Sequence, residues 1–314
     1  MKILVSGSLA YDRIMNFPGI FSDHVLPDKI HSLNVSFLVE DLNESFGGNA
    51  GNIAYNLALL GETPAPVARA GKDFAQYEKW LESVGVDTNL IEKDTELQTA
   101  FASILTDSKD NQITAFFPGA MKKPYTVTDA TWSDAGIGIV SPGNPDDMRA
   151  FPKLFRERHI PYLYDPGQQI PALSGDDLKS GIEKSGALVS NDYELAMIVK
   201  KTGWNENILL DHTDMLVTTL GEQGSRIRTK IKTIEIPPAH PVSSLDPTGA
   251  GDAYRAGLLY GFLREWPLEV AGRFAGVVAC YTVETHGTQT HRFTFDEVRL
   301  RYEENFKQQL PSHS

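Results

Sequence analysis

An aspartate set just after a glycine-rich turn can hold an anion and move a proton. The chain carries this arrangement at Asp246-Pro247-Thr248-Gly249-Ala250-Gly251-Asp252. Gly249 and Gly251 let the backbone approach a ligand without side-chain obstruction. The amides of Gly249, Ala250 and Gly251 fall at a helix start, where they lack partners within the helix. Bare donors and the positive end of the helix dipole coincide there and make an anion site. Asp252 stands in the first turn, beside that site. A carboxylate next to an anion hole fits a base that takes the proton of a hydroxyl as it attacks a bound phosphoryl group. The plainer alternative is an aspartate that only balances the helix dipole, and the rest of the chain decides between the two readings.

Other polar candidates also cluster at element boundaries. Asp12 follows the apolar strand Ile3-Leu4-Val5. Gly48 and Asn52 open a helix whose apolar face is Ile53, Leu57 and Leu60 and whose stop is Gly61. Gln168 and Gln169 follow a strand at 161–164. Asn191 and Glu194 follow one at 187–189, and Thr219, Gly221 and Gly224 follow one at 215–218. With strands at 65–70 and 136–141 and helices at 74–84, 176–184, 267–285 and 296–307, the pattern is a regular alternation. It predicts an α/β fold, a doubly wound and mostly parallel sheet with helices on both faces. Ligands gather at the carboxyl edge of such a sheet, so the candidates line one edge.

Two stretches break the rhythm. Residues 14–42 contain the nearly alternating run Ser32 to Val39, read as a strand. Residues 97–121 read as a hairpin, Thr99–Thr106 with Gln112–Phe117, around the polar turn 107–111. Together they predict a small β lid over the active edge. The large catalytic domain is then 1–13, 43–96 and 122–314.

Bulk properties narrow the function. The net charge is -12 with no basic stripe, which argues against nucleic acid and anionic membrane as partners. The single cysteine, Cys280, lies in an apolar run, so no disulfide within the chain and no cysteine metal site is expected. No apolar run reaches membrane-spanning length, and the start of the chain breaks too early for a signal peptide, so a cytoplasmic location is expected. Residues 308–314 read as a loose tail. A Gly-x-x-x-x-Gly-Lys-Ser/Thr loop is lacking, which rules out a P-loop enzyme.

Over nearly its whole length the chain resembles the ribokinase-like (PfkB-type) carbohydrate and nucleoside kinases. Gly47-Gly48-Asn49-Ala50-Gly51-Asn52 is similar to the family's N-terminal Gly-Gly motif, and 246–252 to its C-terminal signature. Asn191-Asp192-Tyr193-Glu194 resembles its Asn-x-x-Glu motif, and Thr219-Leu220-Gly221-Glu222-Gln223-Gly224 its Thr-x-Gly-x-x-Gly motif. Gly7 to Asp12, Phe116 to Met121 and Asp165 to Gln169 are similar to the bacterial adenosine and broad-specificity nucleoside kinases.

The resemblance implies transfer of the γ-phosphoryl group of ATP to the 5′-hydroxyl of adenosine, inosine, guanosine or a broader set of nucleosides. A ribose-like or other free sugar is the alternative acceptor, and a non-catalytic homologue is disfavoured because base and anion loop are both present. By the same resemblance Asp252 is the base, and Gly249, Ala250 and Gly251 form the anion hole. Asp12, Gly48 and Asn52 grip the sugar, and Thr219, Gly221 and Gly224 line the ATP site. Asn191 and Glu194 organise Mg²⁺ and phosphate through water, and Asp246, Thr248 and Gly287 hold a monovalent cation, usually K⁺. His291 stands where a small hydroxyl residue is common. A homodimer through the lid is a further implication.

For the nucleobase, Phe116 offers a stacking face and Gln168 and Gln169 offer both donors and acceptors. Phe116 and Phe117 point to opposite faces of their strand, so at most one of them meets the cleft. Arg255, one helical turn beyond Gly251, either reaches phosphate or makes a surface salt bridge.

Overall fold

The computed structural model describes residues 1–311 apart from Leu26, Leu33 and Asp110. In chain order its strands and helices begin with β1 (Lys2–Ser6), β2 (Ala10–Asn16), β3 (Asp41–Gly47), α1 (Asn49–Leu59), β4 (Pro64–Ala70) and α2 (Ala75–Ser83). Next come β5 (Ile91–Lys93), β6 (Ala100–Thr106), β7 (Gln112–Phe117), β8 (Ala135–Val140), α3 (Pro145–Glu157), β9 (Tyr162–Tyr164), α4 (Gly175–Ile182) and β10 (Ala187–Asn191). The chain continues with α5 (Asp192–Thr202), α6 (Glu206–His212), β11 (Met215–Thr219), β12 (Ser225–Thr229) and β13 (Thr233–Ile236), and ends in α7 (Ala250–Leu263), α8 (Leu268–Val283) and α9 (Phe295–Phe306).

Nine strands form the large sheet in the order β13-β12-β11-β10-β9-β8-β1-β4-β5. All pairings from β5 to β11 are parallel, and β12 and β13 close one edge as an antiparallel hairpin. From β1 the chain builds outward first to β4 and β5 and then, on the other side, to β8 and beyond. That reversal opens a crevice at the carboxyl end of β1. Alternate residues of β1 explain its unbroken apolar run. Ile3 and Val5 pack with Ile53, Leu57 and Leu258, while Leu4 packs with Phe151, Phe155 and Tyr164 on the opposite face.

The small sheet has the order β3-β2-β6-β7, with β2 parallel to β6 and the outer pairs antiparallel. The chain passes between the two sheets through Gly7-Ser8-Leu9, through Gly48, at Gln98-Thr99 and after Phe117.

The strand expected within 32–39 is not formed. Its partner role falls to the polar segment Asp41–Gly47, which pairs with β2 from Ala10↔Gly47 to Asn16↔Asp41. In the earlier run Leu33 lies outside the described residues. Phe37 instead packs edge-on against Phe17 and Phe21, with ring centroids 4.9 and 5.1 Å apart. Phe37 thus serves an aromatic cluster and not a pleat, while Leu38 is 86% exposed. The hairpin turn is tied by Asp107, whose carboxylate accepts the N–H groups of Lys109 and Asn111 at 2.9 Å; Asp110 in that turn lies outside the described residues. The C-terminal segment is not loose throughout, since Leu310 is buried beside Tyr302 and Phe306. Ser312 to Ser314 lie outside the described residues.

Candidate active site

Helix α7 begins at the carboxyl edge with Gly249 as its N-cap, at φ +81°. A Cβ there would also sit 2.9 Å from Thr288 Cγ2, so both conformation and space require glycine. Of the amides expected to form an anion hole, that of Ala250 turns back to the Pro247 carbonyl at 3.2 Å, whereas the Gly249 and Gly251 amides have no main-chain partner among the described residues. Two of the three amides are therefore left to meet a ligand.

Asp252 is buried beside that turn. Its Oδ1 accepts Asn49 Nδ2 at 2.8 Å and its Oδ2 accepts Asn52 Nδ2 at 2.9 Å. Both asparagines lie in the first turn of α1, delivered there by Gly48 at φ +87°, where any Cβ would fall 2.6 Å from the Ser8 carbonyl oxygen. Ser8 in turn accepts the Asn49 N–H on Oγ at 3.0 Å. The helix start that holds Asp252 is thus tied to the β1–β2 connection. Burial pushes the Asp252 carboxyl up to about 6, against the two amide N–H groups and the Arg255 charge. A group with that value is ionised at neutral pH yet able to take a proton.

Asp12 belongs to β2 and not to a loop. Its carboxyl is also pushed up to about 6, by burial first and then by the charges of Asp252 and Asp246. A carboxyl raised on folding favours the folded state most below its unfolded value near 4, and this advantage is lost as pH rises through about 6. Asp12→Asn is therefore expected to stabilise the ligand-free protein at pH 8, by about 1–2 kcal/mol, with the gain vanishing toward pH 4. This is less than the ~3 kcal/mol that two pH units represent, because the carboxyl keeps some solvent contact. Urea unfolding at both pH values checks it, and equal stability of variant and wild type at pH 8 would refute it.

Register places Phe116 with Asp12. Asp12 pairs with Ala102, and Ala102 with Phe116, so all three point to one face of the small sheet. Phe116 is 49% exposed there. Phe117 points the other way and meets Phe101 at 5.1 Å between ring centroids. Gln168 Nε2 donates to Asn49 Oδ1 at 2.9 Å, and Gln169 sits half-buried in the same short turn.

Arg255 does form a salt bridge, but a buried one and not a surface one. It is 7% exposed, and its guanidinium forks onto Asp165, with Nε meeting Oδ2 and Nη2 meeting Oδ1 at 3.1 Å. Its Nη1 donates to the Gly251 carbonyl at 3.0 Å. Periodicity located Arg255 relative to Gly251 but could not show that Asp165, 90 residues away, closes over it. Asn191 and Glu194 form a reciprocal capping box at the start of α5. Asn191 Oδ1 accepts the Glu194 N–H at 2.7 Å, and Glu194 Oε2 accepts the Asn191 N–H at 2.8 Å. Burial and the nearby Asp165 charge raise the Glu194 carboxyl.

A cavity of about 550 Å³ opens beside the turn, lined by Thr219, Gly221 and Gly224 and by Pro247, Ala250 and Gly251. Its remaining wall includes Ile236, Gly272, Gly276 and Ala279. Gly272, Gly276 and Ala279 recur at helical spacing on α8 and leave a shallow channel; that spacing is the sequence signal that could have identified this wall. Cys280 faces the same cavity, its thiol pushed up to about 11 by burial.

Asp246 draws the last group of candidates together. Its Oδ1 accepts the Thr248 N–H at 2.9 Å and its Oδ2 the Gly287 N–H at 3.0 Å. Burial alone would raise this carboxyl, but these main-chain donors and the Thr248 hydroxyl hold it below its usual range. His291 is buried, with Nε2 2.9 Å from Asn56 Oδ1, and burial followed by the Arg292 charge pushes it down to about 4. Among the described residues no group of three acidic, histidine or cysteine side chains could hold a metal unaided. Glu194 could meet Mg²⁺ through water, since that ion keeps waters and takes most of its remaining ligands from substrate phosphates. One carboxylate held in a backbone turn suits a monovalent cation at Asp246.

Comparison with known proteins agrees with this geometry. The sequence profile described as pfkB family carbohydrate kinase matches residues 2–293. The chain is 31% identical over 307 residues to the nucleoside kinase of Methanocaldococcus jannaschii, covering 97% of each. It is also 31% identical over 295 residues to that of Methanothermobacter thermautotrophicus, covering 92% of this chain and 91% of the relative. The structure of Burkholderia thailandensis nucleoside kinase in complex with ADP-inosine superposes with a TM-score of 0.87 at 36% identity, covering 99% of this chain and 98% of that one. A sheet edge that gathers glycine-rich turns, a buried aspartate and an elongated cavity, with this similarity over the whole chain, has one explanation: the chain belongs to the pfkB family of carbohydrate kinases.

Proposed function

We propose that the chain transfers the γ-phosphoryl group of ATP to the 5′-hydroxyl of nucleosides. The observation that carries this reading is the Asp252 carboxylate, buried and held by two asparagine amides, at the anion-binding helix start that lines the cavity. The chain is a phosphotransferase acting on a hydroxyl group, and the M. jannaschii and B. thailandensis relatives are nucleoside kinases, the latter seen with inosine and with ADP-inosine.

In this reading ATP lies in the cavity along Thr219, Gly221 and Gly224, with its terminal phosphate at Gly249–Gly251. The nucleoside lies between the two sheets, its ribose hydroxyls on Asp12, Gly48 and Asn52 and its base against Phe116, Gln168 and Gln169. The 5′-hydroxyl donates to Asp252, its oxygen attacks phosphorus as the bond to ADP breaks, and its proton passes late to the carboxylate. The transition state is loose, so positioning and charge stabilisation dominate, and the Gly251 amide meets the growing negative charge. Glu194 and the Asn191 cap would meet Mg²⁺ through water, an ion that would supply neutralisation of phosphate charge. Asp246, Thr248 and Gly287 would hold a monovalent cation next to the same turn. The small sheet serves as the lid over residues of the large domain.

ATP consumption against adenosine, inosine, guanosine, cytidine, ribose and fructose tests the reading. Turnover of several nucleosides and of no free sugar is expected. Turnover of a free sugar alone would keep the Asp252 chemistry and return Phe116 to lid packing. The outer face of the lid exposes Leu42 and Ile113, which suits pairing with a second copy; light scattering is expected to give a dimer mass. Among the described residues no helix is long and apolar enough to cross a membrane, which is compatible with a cytoplasmic enzyme.

A further inference from the structure

Asp252 is oriented by Asn52, and Asn52 is itself oriented from outside the site. Its Oδ1 accepts Gln289 Nε2 at 3.0 Å, which leaves its Nδ2 to face Asp252. Gln289 is 4% exposed and lies beyond α8, far in sequence from both partners. Which way its amide faces is decided twice. Trp80 Nε1, a donor only, meets Gln289 Oε1 at 3.1 Å. The Tyr77 hydroxyl spends its single proton on the Gly47 carbonyl at 2.8 Å, so it accepts Gln289 Nε2 at 2.6 Å. Both constraints demand the same orientation, and every polar atom of the Gln289 side chain is then paired.

The geometry points to Gln289 as a positioning residue for the Asp252 base, with Trp80 and Tyr77 fixing the polarity of a hydrogen-bonded chain that ends on the carboxylate. Reversed, the same chain would present the Asn52 carbonyl to Asp252 and favour the protonated acid. The other amide on Asp252 is less firmly anchored: Asn49 Oδ1 receives Gln168, which is exposed, at 2.9 Å and the buried Ser8 hydroxyl only at 3.4 Å. Trp80 also has a packing role. Its ring stacks on Tyr55 and Phe46 at 6.0 and 6.1 Å, and Arg292 lies over it at 4.6 Å. A phenylalanine there would keep an aromatic ring in the stack and remove the N–H.

The proposal rests on Asp252 being the base, so the test includes a readout that needs no turnover. Gln289→Met and Trp80→Phe are compared with wild type in kcat, nucleoside KM, the acidic limb of kcat against pH, and the titration of Asp252 followed by carbon-13 NMR of labelled aspartates, assigned by its loss in Asp252→Asn. The groups whose charge acts on Asp252 are Arg255 on its own helix, Asp165 after β9 and Asp12 on β2, with Tyr77 of α2 close by. None of them is replaced.

Gln289→Met is expected to lower kcat roughly 10- to 100-fold with a much smaller change in KM, and to move the acidic limb and the Asp252 titration upward by about half a pH unit or more. Trp80→Phe, which leaves the Tyr77 constraint in place, is expected to shift both in the same direction by less. An unmoved Asp252 titration in Gln289→Met overturns the proposal whatever happens to kcat, as does a larger shift in Trp80→Phe than in Gln289→Met. Should Gln289→Met fail to fold, an unmoved titration in Trp80→Phe is the overturning result. A wild-type protein that phosphorylates no nucleoside would count against the proposed function, while the NMR titration would still decide the role of Gln289.

Discussion

Asp252→Asn is expected to bind nucleoside within a few-fold of wild type and to lose turnover by about 10²- to 10⁴-fold, the range that a positioned general base contributes. The wild-type carboxylate accepts one N–H on each oxygen, from Asn49 and from Asn52. An amide in its place has one acceptor, so one asparagine must face an N–H group or turn over. The fixed chain behind Asn52 makes Asn49 the one that yields. Binding persists because Asp12 and the Gly48 turn remain. In the wild type activity requires the ionised carboxyl, whose value is raised to about 6, so kcat rises with pH through that region. The variant has no such group, and its residual rate is expected to lack that limb. Calorimetric titration with inosine and an ADP-release assay measure the two halves, and near-normal turnover would remove Asp252 from the role of base.

The largest effect on stability is expected from Arg255→Met, a loss of about 3–5 kcal/mol. Asp165 is 1% exposed, and the Arg255 guanidinium is its buried counter-charge. Burial would by itself lower the arginine's proton affinity, but the Asp165 carboxylate outweighs it and drives the value upward. Removing the cation leaves a carboxylate in the interior without compensation, and the Gly251 carbonyl loses its side-chain donor as well. Asp165→Leu combined with Arg255→Met is expected to recover much of the loss, because replacing both members of a buried pair removes the stranded charge. Urea unfolding of the single and double variants measures this. A double variant no more stable than the single one would show that the pair does more than neutralise itself.

Much of this was legible in the chain, and the reasons for the rest are local. Strands buried on both faces announced themselves as apolar runs, so β1, β4, β8, β10 and β11 were placed from sequence. The first turn of α7 was legible because glycine at a left-handed position followed by a carboxylate has few other uses. The segment Asp-Leu-Asn-Glu-Ser-Phe-Gly of β3 offered no pleated pattern, since it is an edge strand exposed over most of its length and held by its ladder to β2. In the nearly alternating stretch just before it, Phe37 is drawn into an aromatic cluster around Phe17. The partners of the site were hidden for a different reason. Trp80 and Gln289 are 209 residues apart and Asp165 and Arg255 are 90 apart, and nothing in either member announces the other. Asn49 lay in plain view within the glycine-rich motif, but its contact with Asp252 depends on the angle between two helices.

The places where the chain passes between the two sheets coincide with the residues that would grip the sugar. Gly48 is itself one passage, and Asp12 follows another by three residues. Passage and proposed grip are thus built from the same few residues, and neither can drift without the other. Substitutions that reshape acceptor preference without disturbing those passages have room only farther out on the small sheet, along Ala102, Ile104 and Phe116. Divergence among enzymes of this design should therefore be written on the blades of the clasp while its pivot stays fixed.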